Sequence, residues 1–144
     1  MQQSTGSLSV WAKASSPGSG YRGIIAKQYA YGMFYTDGVL TAFDWQAPAT
    51  RSSGINIADG TWKNVAMTFT NNVGTPSNNA IIYLNGTAIL TSTIKFVNNL
   101  IEVQLASGGT NNATPTGTRG IQQLNGNISQ SLIYNRAISA TEVL

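Results

Sequence analysis

Residues 81–90 read Ile-Ile-Tyr-Leu-Asn-Gly-Thr-Ala-Ile-Leu, which is two apolar runs on either side of an Asn-Gly pair. Asn-Gly is a preferred pair for a two-residue hairpin turn, because both turn positions need a positive φ. The turn predicts that Ile82 faces Ile89 and that Ile81 faces Leu90. Both faces of this hairpin are apolar near its middle, and we expect it to lie inside a sheet that is covered on both sides.

A second hairpin is predicted around the pair Asp37-Gly38, which also tolerates positive φ. Counting outward from this turn pairs Tyr35 with Leu40. Strand side chains alternate between the two faces of a sheet, so Phe34 and Phe43 share one face. The other face has more polar groups and comprises Tyr31, Met33, Tyr35, Leu40, Ala42 and Asp44.

The rest of the chain follows the same plan. Short apolar or alternating runs, bounded by Gly, Asn, Asp and Pro, recur about every dozen residues, which is typical of an all-β sandwich or barrel. Helical periodicity is almost absent. The predicted strands are 7–13, 23–28, 31–36, 39–45, 62–70, 79–84, 87–95, 101–106 and 127–134.

Two tryptophans fall on the polar side of this alternation. Trp11 is out of phase with Val10, and Trp62 is out of phase with Val65 and Phe69. We therefore predict that both tryptophans lie on the sheet face opposite those three apolar residues. Two interpretations of that face stay open: a binding platform of exposed rings, or a second, smaller core in which loops cover each indole.

Four stretches carry a family pattern. They are LSVWAK at 8–13, ADGTWKNVA at 58–66, IYLNG at 82–86 and LNGNISQSLIYNRAIS at 124–139. In this order they resemble the concanavalin A-like, laminin G-like jelly rolls. The resemblance implies one domain over residues 1–144, an all-β, antiparallel two-sheet jelly-roll sandwich. It also implies a short C-terminal helix, which would begin at a capping box formed by Ser139 and Glu142.

The acidic residues disfavour the calcium site that many members of this family carry. The family usually has an Asp where this chain has Ser129. No two acidic residues are close in sequence; they are Asp37, Asp44, Asp59, Glu102 and Glu142. Calcium takes six to eight oxygen ligands, usually including carboxylates. We therefore predict no metal site.

The resemblance also bears on the N-terminus. Relatives have one or two strands before the first of these stretches, whereas only residues 1–6 precede the first predicted strand here. With that early strand missing, strand 127–134 would be an open edge carrying Ile128, Leu132 and Tyr134. Open edges recruit other strands. We predict assembly as a homo-oligomer or on a partner protein, unless residues 1–6 or a loop cover the edge.

Composition disfavours several function classes. Only 9% of residues are charged, and the basic residues behind the net charge of +3 stand singly, which disfavours nucleic-acid binding. No apolar run reaches the length of a membrane span, so membrane insertion is not expected. The chain has no Cys and no His, and Glu102 lacks the nearby acid that glycoside hydrolysis needs. We expect no enzyme activity and no cofactor.

Two functional hypotheses remain open. The first is a structural, decoration or attachment domain of a phage or similar surface assembly, which the low charge and the absence of Cys favour. The alternative is a carbohydrate-binding, lectin-like module of a larger extracellular protein, because sugars stack on aromatic rings. If a glycan binds, we predict that it contacts Tyr31, Tyr35 and Asp44; otherwise both tyrosines are half-buried sheet residues. Either hypothesis places the protein in a virion or at a cell surface.

Overall fold

Strands dominate the structure, a computed structural model that describes residues 5–45, 47–70, 77–95, 99–110 and 119–143. In chain order the strands are β1 (Thr5–Ala14), β2 (Tyr21–Lys27), β3 (Tyr31–Thr36), β4 (Val39–Asp44), β5 (Ala49–Asn56), β6 (Trp62–Thr70), β7 (Ala80–Leu84), β8 (Thr87–Ser92), β9 (Val103–Leu105), β10 (Gly109–Thr110), β11 (Arg119–Ile121) and β12 (Gly126–Tyr134). A 3-10 turn, Ala140–Glu142, follows β12.

Two antiparallel five-stranded sheets form a sandwich. Sheet A has the order β12-β1-β6-β7-β8 and sheet B the order β5-β4-β3-β2-β9, while β10 and β11 form a separate ribbon. The predicted jelly-roll sandwich is confirmed, and the short C-terminal helix is present as the 3-10 turn. The turn begins at the predicted capping box, because Glu142 reaches back to accept the main-chain N–H of Ser139 at 2.9 Å.

The core lies between the inner faces of the two sheets. β1 and β6 of sheet A face β3 and β4 of sheet B, and each strand contributes every second residue, as the period of a strand requires. The Tyr31 and Phe69 rings stack with their centroids 5.1 Å apart. The buried set includes Leu8, Val10, Val65, Met67 and Phe69 from sheet A and Tyr31, Met33, Tyr35, Leu40 and Ala42 from sheet B.

Trp11 and Trp62 lie on the outer face of sheet A, as predicted. In the register of β1 and β6, both are one residue out of phase with the core residues Val10 and Val65. The side chain of Trp62 is 45% exposed, and Trp11 is partly buried. A smaller cluster does form around this sheet, but it contains neither tryptophan; its buried members are Ala66, Tyr83, Ile138 and Val143.

The structure departs from the sequence-based prediction in one hairpin and in three strands that the sequence does not predict, β5, β10 and β11. The Asp37-Gly38 hairpin has the predicted register, whereas in the other hairpin Ile82 pairs with Leu90 instead of Ile89. The cause is a β-bulge, which inserts one extra residue on one side of the ladder. The sequence does not predict β5, because Ala49–Asn56 is polar and largely exposed; this strand forms by pairing with β4 at the edge of sheet B.

β12 forms one edge of sheet A. In the described part of the chain it pairs with β1 alone. The side chain of Leu132 is 50% exposed and that of Ile133 is 36% exposed. These observations agree with the open edge predicted at residues 127–134, and the assembly that we expect from it stays a prediction.

A β-bulge reverses the side-chain alternation within β12. Gln130 and Ser131 together face one residue of β1, so the even-numbered residues before the bulge point to the inner face of the sheet and those after it point to the outer face. Ile128 packs against the main core, whereas Tyr134 packs against the smaller cluster. The prediction that Ile128, Leu132 and Tyr134 form a single apolar face is therefore wrong.

Candidate functional site

The outer face of sheet B carries a cleft lined by aromatic rings. We call it the aromatic cleft; it is lined by Tyr21, Gln28, Phe34, Phe43, Trp45, Gly108 and Gln122. Its volume is about 110 Å³, small beside the roughly 300 Å³ of the smaller typical ligand pockets. The cleft can therefore hold a single ring or the edge of a ring.

β2, β3 and β4 place these rings side by side. Phe34 and Phe43 point outward, because the alternate positions of β3 and β4 fill the core. Trp45 follows β4 directly, and its ring centroid lies 5.1 Å from that of Phe43 and 5.8 Å from that of Phe34. Tyr21 lies 5.5 Å from Phe43, and its hydroxyl is 2.6 Å from Oγ1 of Thr50. Rings held edge to face by one another form a preorganised apolar surface.

Two glycines shape the cleft through close approaches. A Cβ at Gly32 would lie 2.9 Å from the Phe34 ring and 3.0 Å from the Cβ of Ala26. A Cβ at Gly23 would lie 2.0 Å from the carbonyl of Ser107. The first glycine makes room for the Phe34 ring, and the second lets the segment around Ser107 lie directly on β2, where it forms a wall of the cleft.

The cleft also contains a buried hydrogen-bond acceptor. Gln28 follows β2, and its main-chain carbonyl accepts Nδ2 of Asn99 at 2.8 Å. Its side-chain Oε1 is buried and has no hydrogen-bond partner among the described residues. Leaving such a group unpaired costs about 1–3 kcal/mol. A hydroxyl or N–H of a ligand would remove this cost, so the cleft suits a ring that carries hydroxyl groups.

Asp44 supports the cleft from behind rather than lining it. Its side chain is 2% exposed. Its Oδ2 accepts Nη2 of Arg51 at 3.2 Å, and its Oδ1 accepts the main-chain N–H of Ala47 at 3.2 Å. These bonds hold the turn that carries Trp45, so Asp44 is a positioning residue for the ring next to it.

Tyr31 and Tyr35, the other residues predicted to contact a glycan, lie in the core. Their side chains are 1% and 0% exposed, and burial raises the pKa of Tyr31. The Tyr35 hydroxyl donates to the carbonyl of Ser16 at 3.2 Å and accepts the N–H of Asn125 at 3.3 Å. The structure corrects the accessibility expected for these residues: the face with more polar groups is the inner face of sheet B. The aromatic cleft occupies the opposite face of the same hairpin.

Neither a membrane-spanning helix nor a metal-binding cluster is found in the described ranges. No helix there is long and apolar enough to cross a bilayer. No group of three or more His, Cys, Asp or Glu side chains is placed there to hold a metal ion.

The two antiparallel sheets form the sandwich of the concanavalin A-like jelly rolls. The chain belongs to the concanavalin A-like lectin/glucanases superfamily, whose family model matches residues 1–144. No curated protein matches the chain in sequence.

Solved structures with the same fold come from several bacteria. A Bacteroides ovatus protein, proposed to bind carbohydrate, superposes with a TM-score of 0.75 at 12% identity; the match covers 99% of this chain and 40% of that protein. The carbohydrate-binding module CBM40 of a Ruminococcus gnavus sialidase gives 0.69 at 14% identity, covering 99% and 82%. Domain 4 of an extracellular arabinanase from Geobacillus stearothermophilus, solved with arabinotriose, gives 0.63 at 17%, covering 99% and 66%. At these identities the similarity establishes the fold alone.

Proposed function

We propose that this chain is a non-catalytic carbohydrate-binding module that holds a sugar ring in the aromatic cleft. The observation that carries the proposal is the buried Oε1 of Gln28, which has no hydrogen-bond partner among the described residues and lies beside the rings of Phe34, Phe43 and Trp45. The apolar C–H face of a sugar ring packs on an aromatic surface, while one of its hydroxyls donates to the amide oxygen. The names of the solved structures with the same fold, which include carbohydrate-binding modules, support this reading.

The contacts in the cleft suggest a weak, specific interaction. An aromatic contact contributes about 0.5–1.5 kcal/mol beyond the area that it buries, and a neutral hydrogen bond about 1 kcal/mol. A cleft of about 110 Å³ offers few such contacts. We therefore expect dissociation constants nearer millimolar than nanomolar, so that strong attachment would need several modules acting together.

A catalytic role has less support in this chain. The sequence has no His and no Cys, and its acidic residues are few and separated. Hydrolysis of a glycosidic bond uses two carboxyl groups on either side of that bond. We infer that the module binds and does not cleave, and that it acts outside the cell or at a surface.

The structural role in a phage or similar assembly is the second candidate. The carbohydrate-binding reading has better support, because solved structures with this fold are named for carbohydrate binding. One observation favours assembly: within the described residues β12 pairs with β1 alone, and the side chains of Leu132 and Ile133 on it are exposed. The two roles are compatible, since a surface assembly can also carry a glycan-binding module.

A glycan array followed by calorimetry tests the proposed function. The array identifies a ligand, and calorimetry then compares the wild type with Trp45→Ala. Trp62→Ala is the matched control, because Trp62 is an exposed tryptophan on the outer face of sheet A, away from the cleft. We expect Trp45→Ala to weaken binding about tenfold or more and Trp62→Ala to leave it unchanged. An array without hits, or equal effects of the two variants, would refute the proposal.

A further inference from the structure

A second concave surface lies on the outer face of sheet A, on the opposite side of the sandwich from the aromatic cleft. It has a volume of about 330 Å³, and we call it the sheet A groove. The residues of the groove that the argument uses are Ser9, Trp11, Asn64, Gln130, Leu132 and Glu142. This volume lies within the range of about 300–1,000 Å³ typical of small-molecule pockets.

The groove contains a buried amide, the side chain of Asn64. Asn64 is 2% exposed, and its Nδ2 donates to Oγ of Ser9 at 3.1 Å. Oδ1 of Asn64 has no hydrogen-bond partner in the described part of the chain. The main chain of Asn64 is fixed by two bonds to Asn85, at 3.0 Å and 2.8 Å. A donor brought by a ligand in the groove can satisfy this oxygen.

The bulge in β12 shapes the same groove. Gln130 has a φ of +43°, a left-handed conformation that is unfavourable for a residue other than glycine. The bulge pairs Leu132 with Ser9 instead of with the core residue Leu8, which brings the Leu132 side chain to the outer face beside Trp11. Bulges and strained residues of this kind concentrate at functional sites, where they redirect side chains.

The charge of the groove is balanced within the protein. Glu142 lines it, but its carboxylate is paired with the guanidinium of Arg136, with one N–O distance of 2.9 Å. A cationic ligand would therefore have to compete with Arg136. The remaining polar groups are the hydroxyls of Ser9 and Tyr134, the amides of Asn64 and Gln130 and the indole N–H of Trp11, which are all uncharged and suit a neutral ligand with several hydroxyl groups.

We infer that the sheet A groove is a second site for a neutral, hydroxyl-bearing ring of the carbohydrate class. One ring hydroxyl donates to Oδ1 of Asn64, and the apolar face of the ring lies against Trp11 and Leu132. The inference shares the ligand class of the proposed function but depends on none of the residues of the aromatic cleft. With sites on opposite faces, one module can bridge two glycan chains.

The chain has one tryptophan in each of the two surfaces and a third outside both, so tryptophan signals can report on each surface separately. Trp11 lines the groove, Trp45 lines the cleft, and Trp62 lies outside both. The experiment records the indole N–H signals of 15N-labelled protein during titration with methyl glycosides of glucose, galactose, mannose and arabinose. We expect at least one glycoside to shift the Trp11 signal saturably at up to ~100 mM, both in the wild type and in the Trp45→Ala variant. The Trp62 signal should shift less, because Trp62 lies outside the groove, two residues along β6 from Asn64.

Two variants connect the signal to the groove. Asn64→Leu keeps the volume of the side chain and should weaken the Trp11 response about tenfold. Gln130→Gly removes an exposed amide and relieves the positive φ, so it should fold at least as well as the wild type and weaken the response about threefold. If Asn64→Leu does not fold, Gln130→Gly decides the question.

The inference is wrong if no glycoside shifts the Trp11 signal, or if the folded variants respond like the wild type. It is also wrong if the Trp11 signal shifts with protein concentration alone, because the groove would then be a contact between copies of the chain. The proposed function is tested separately by the Trp45 signal of the wild type. If no glycan shifts that signal, the proposed function is wrong.

Discussion

Asp44→Ala tests whether this carboxylate supports the fold or binds a ligand. The change removes the partner of Arg51 and the acceptor for the N–H of Ala47. Because the Arg51 side chain is 29% exposed, the ion pair is partly screened by water, and we assign it about 1 kcal/mol. The main-chain hydrogen bond adds about 1 kcal/mol. The loss of about 2 kcal/mol in unfolding free energy corresponds to a decrease in Tm of roughly 4–8 °C for a chain of this size.

Asp44→Asn separates the two roles. An amide keeps the acceptor for Ala47 but loses the charge that pairs with Arg51, so Tm should fall by roughly 2–4 °C while glycan binding at 25 °C stays unchanged. Thermal unfolding followed by circular dichroism gives Tm, and calorimetry gives binding. In an Arg51→Met background the cost of Asp44→Ala should shrink by about 1 kcal/mol. A stable Asp44→Asn protein that no longer binds glycan would refute this reasoning and would indicate that Asp44 contacts the ligand.

Three further predictions concern pH, metal and assembly. The hydrogen bonds from Arg136 and Ser139 lower the pKa of Glu142 from 4.5 to about 2. The stability that this carboxylate contributes is therefore present above pH 4.5 and is lost as the pH falls towards 2. The unfolding free energy of Glu142→Gln, measured in urea at several pH values, should lack that part of the pH dependence. Thermal melts with calcium and with a chelator should coincide, because a ligand of the native state raises Tm, and a drop with chelator would reveal a calcium site. Light scattering should detect oligomers of the wild type and fewer of Ile133→Lys, because a charge on an open edge blocks strand pairing; a wild type that stays monomeric at high concentration would contradict the assembly prediction.

The sequence predicts the strands best where local chemistry decides the structure. Asp37-Gly38 fixes both a turn and a register, and the register observed between Tyr35 and Leu40 is the predicted one. At Asn85-Gly86 the turn is present, but the bulge beyond it shifts the pairing to Ile82 with Leu90. A bulge depends on the contacts that a strand makes with its neighbours, and the two-residue alternation of side chains does not predict it.

The position of the candidate site is harder to predict from the sequence, because alternation identifies two faces without saying which one is buried. Tyr31 and Tyr35 with Asp44 look like an outer face by polarity, yet they pack in the core. Phe34 and Phe43 look like core residues and line the cleft instead. The order of the strands decides between the faces, and that order depends on contacts between residues far apart in the chain.

One signal for the cleft was present in the sequence. Trp45 follows Phe43 by two residues, so the two rings fall on the same face of the hairpin. Phe34, on the other strand of the hairpin, points to that face as well. Three aromatic rings on one face of a single hairpin favour either a core or a binding surface. What excludes the core here is the pairing of Tyr31 with Phe69 on the other face.

Gly23 affects the width of the cleft although it does not line the cleft. The carbonyl of Ser107 occupies the place where a Cβ would stand at this position, and the N–H of Gly23 donates to the carbonyl of Gln122 at 2.8 Å. Even a single methyl group here would push the wall that includes Gly108 away from β2. The width of the cleft is therefore tied to a backbone position on the strand beneath it. Gly23→Ala should therefore lower the stability of the protein as well as alter the cleft, because the methyl group would overlap main-chain atoms rather than the end of a flexible side chain. Thermal unfolding and ligand selectivity, measured together, would show both effects.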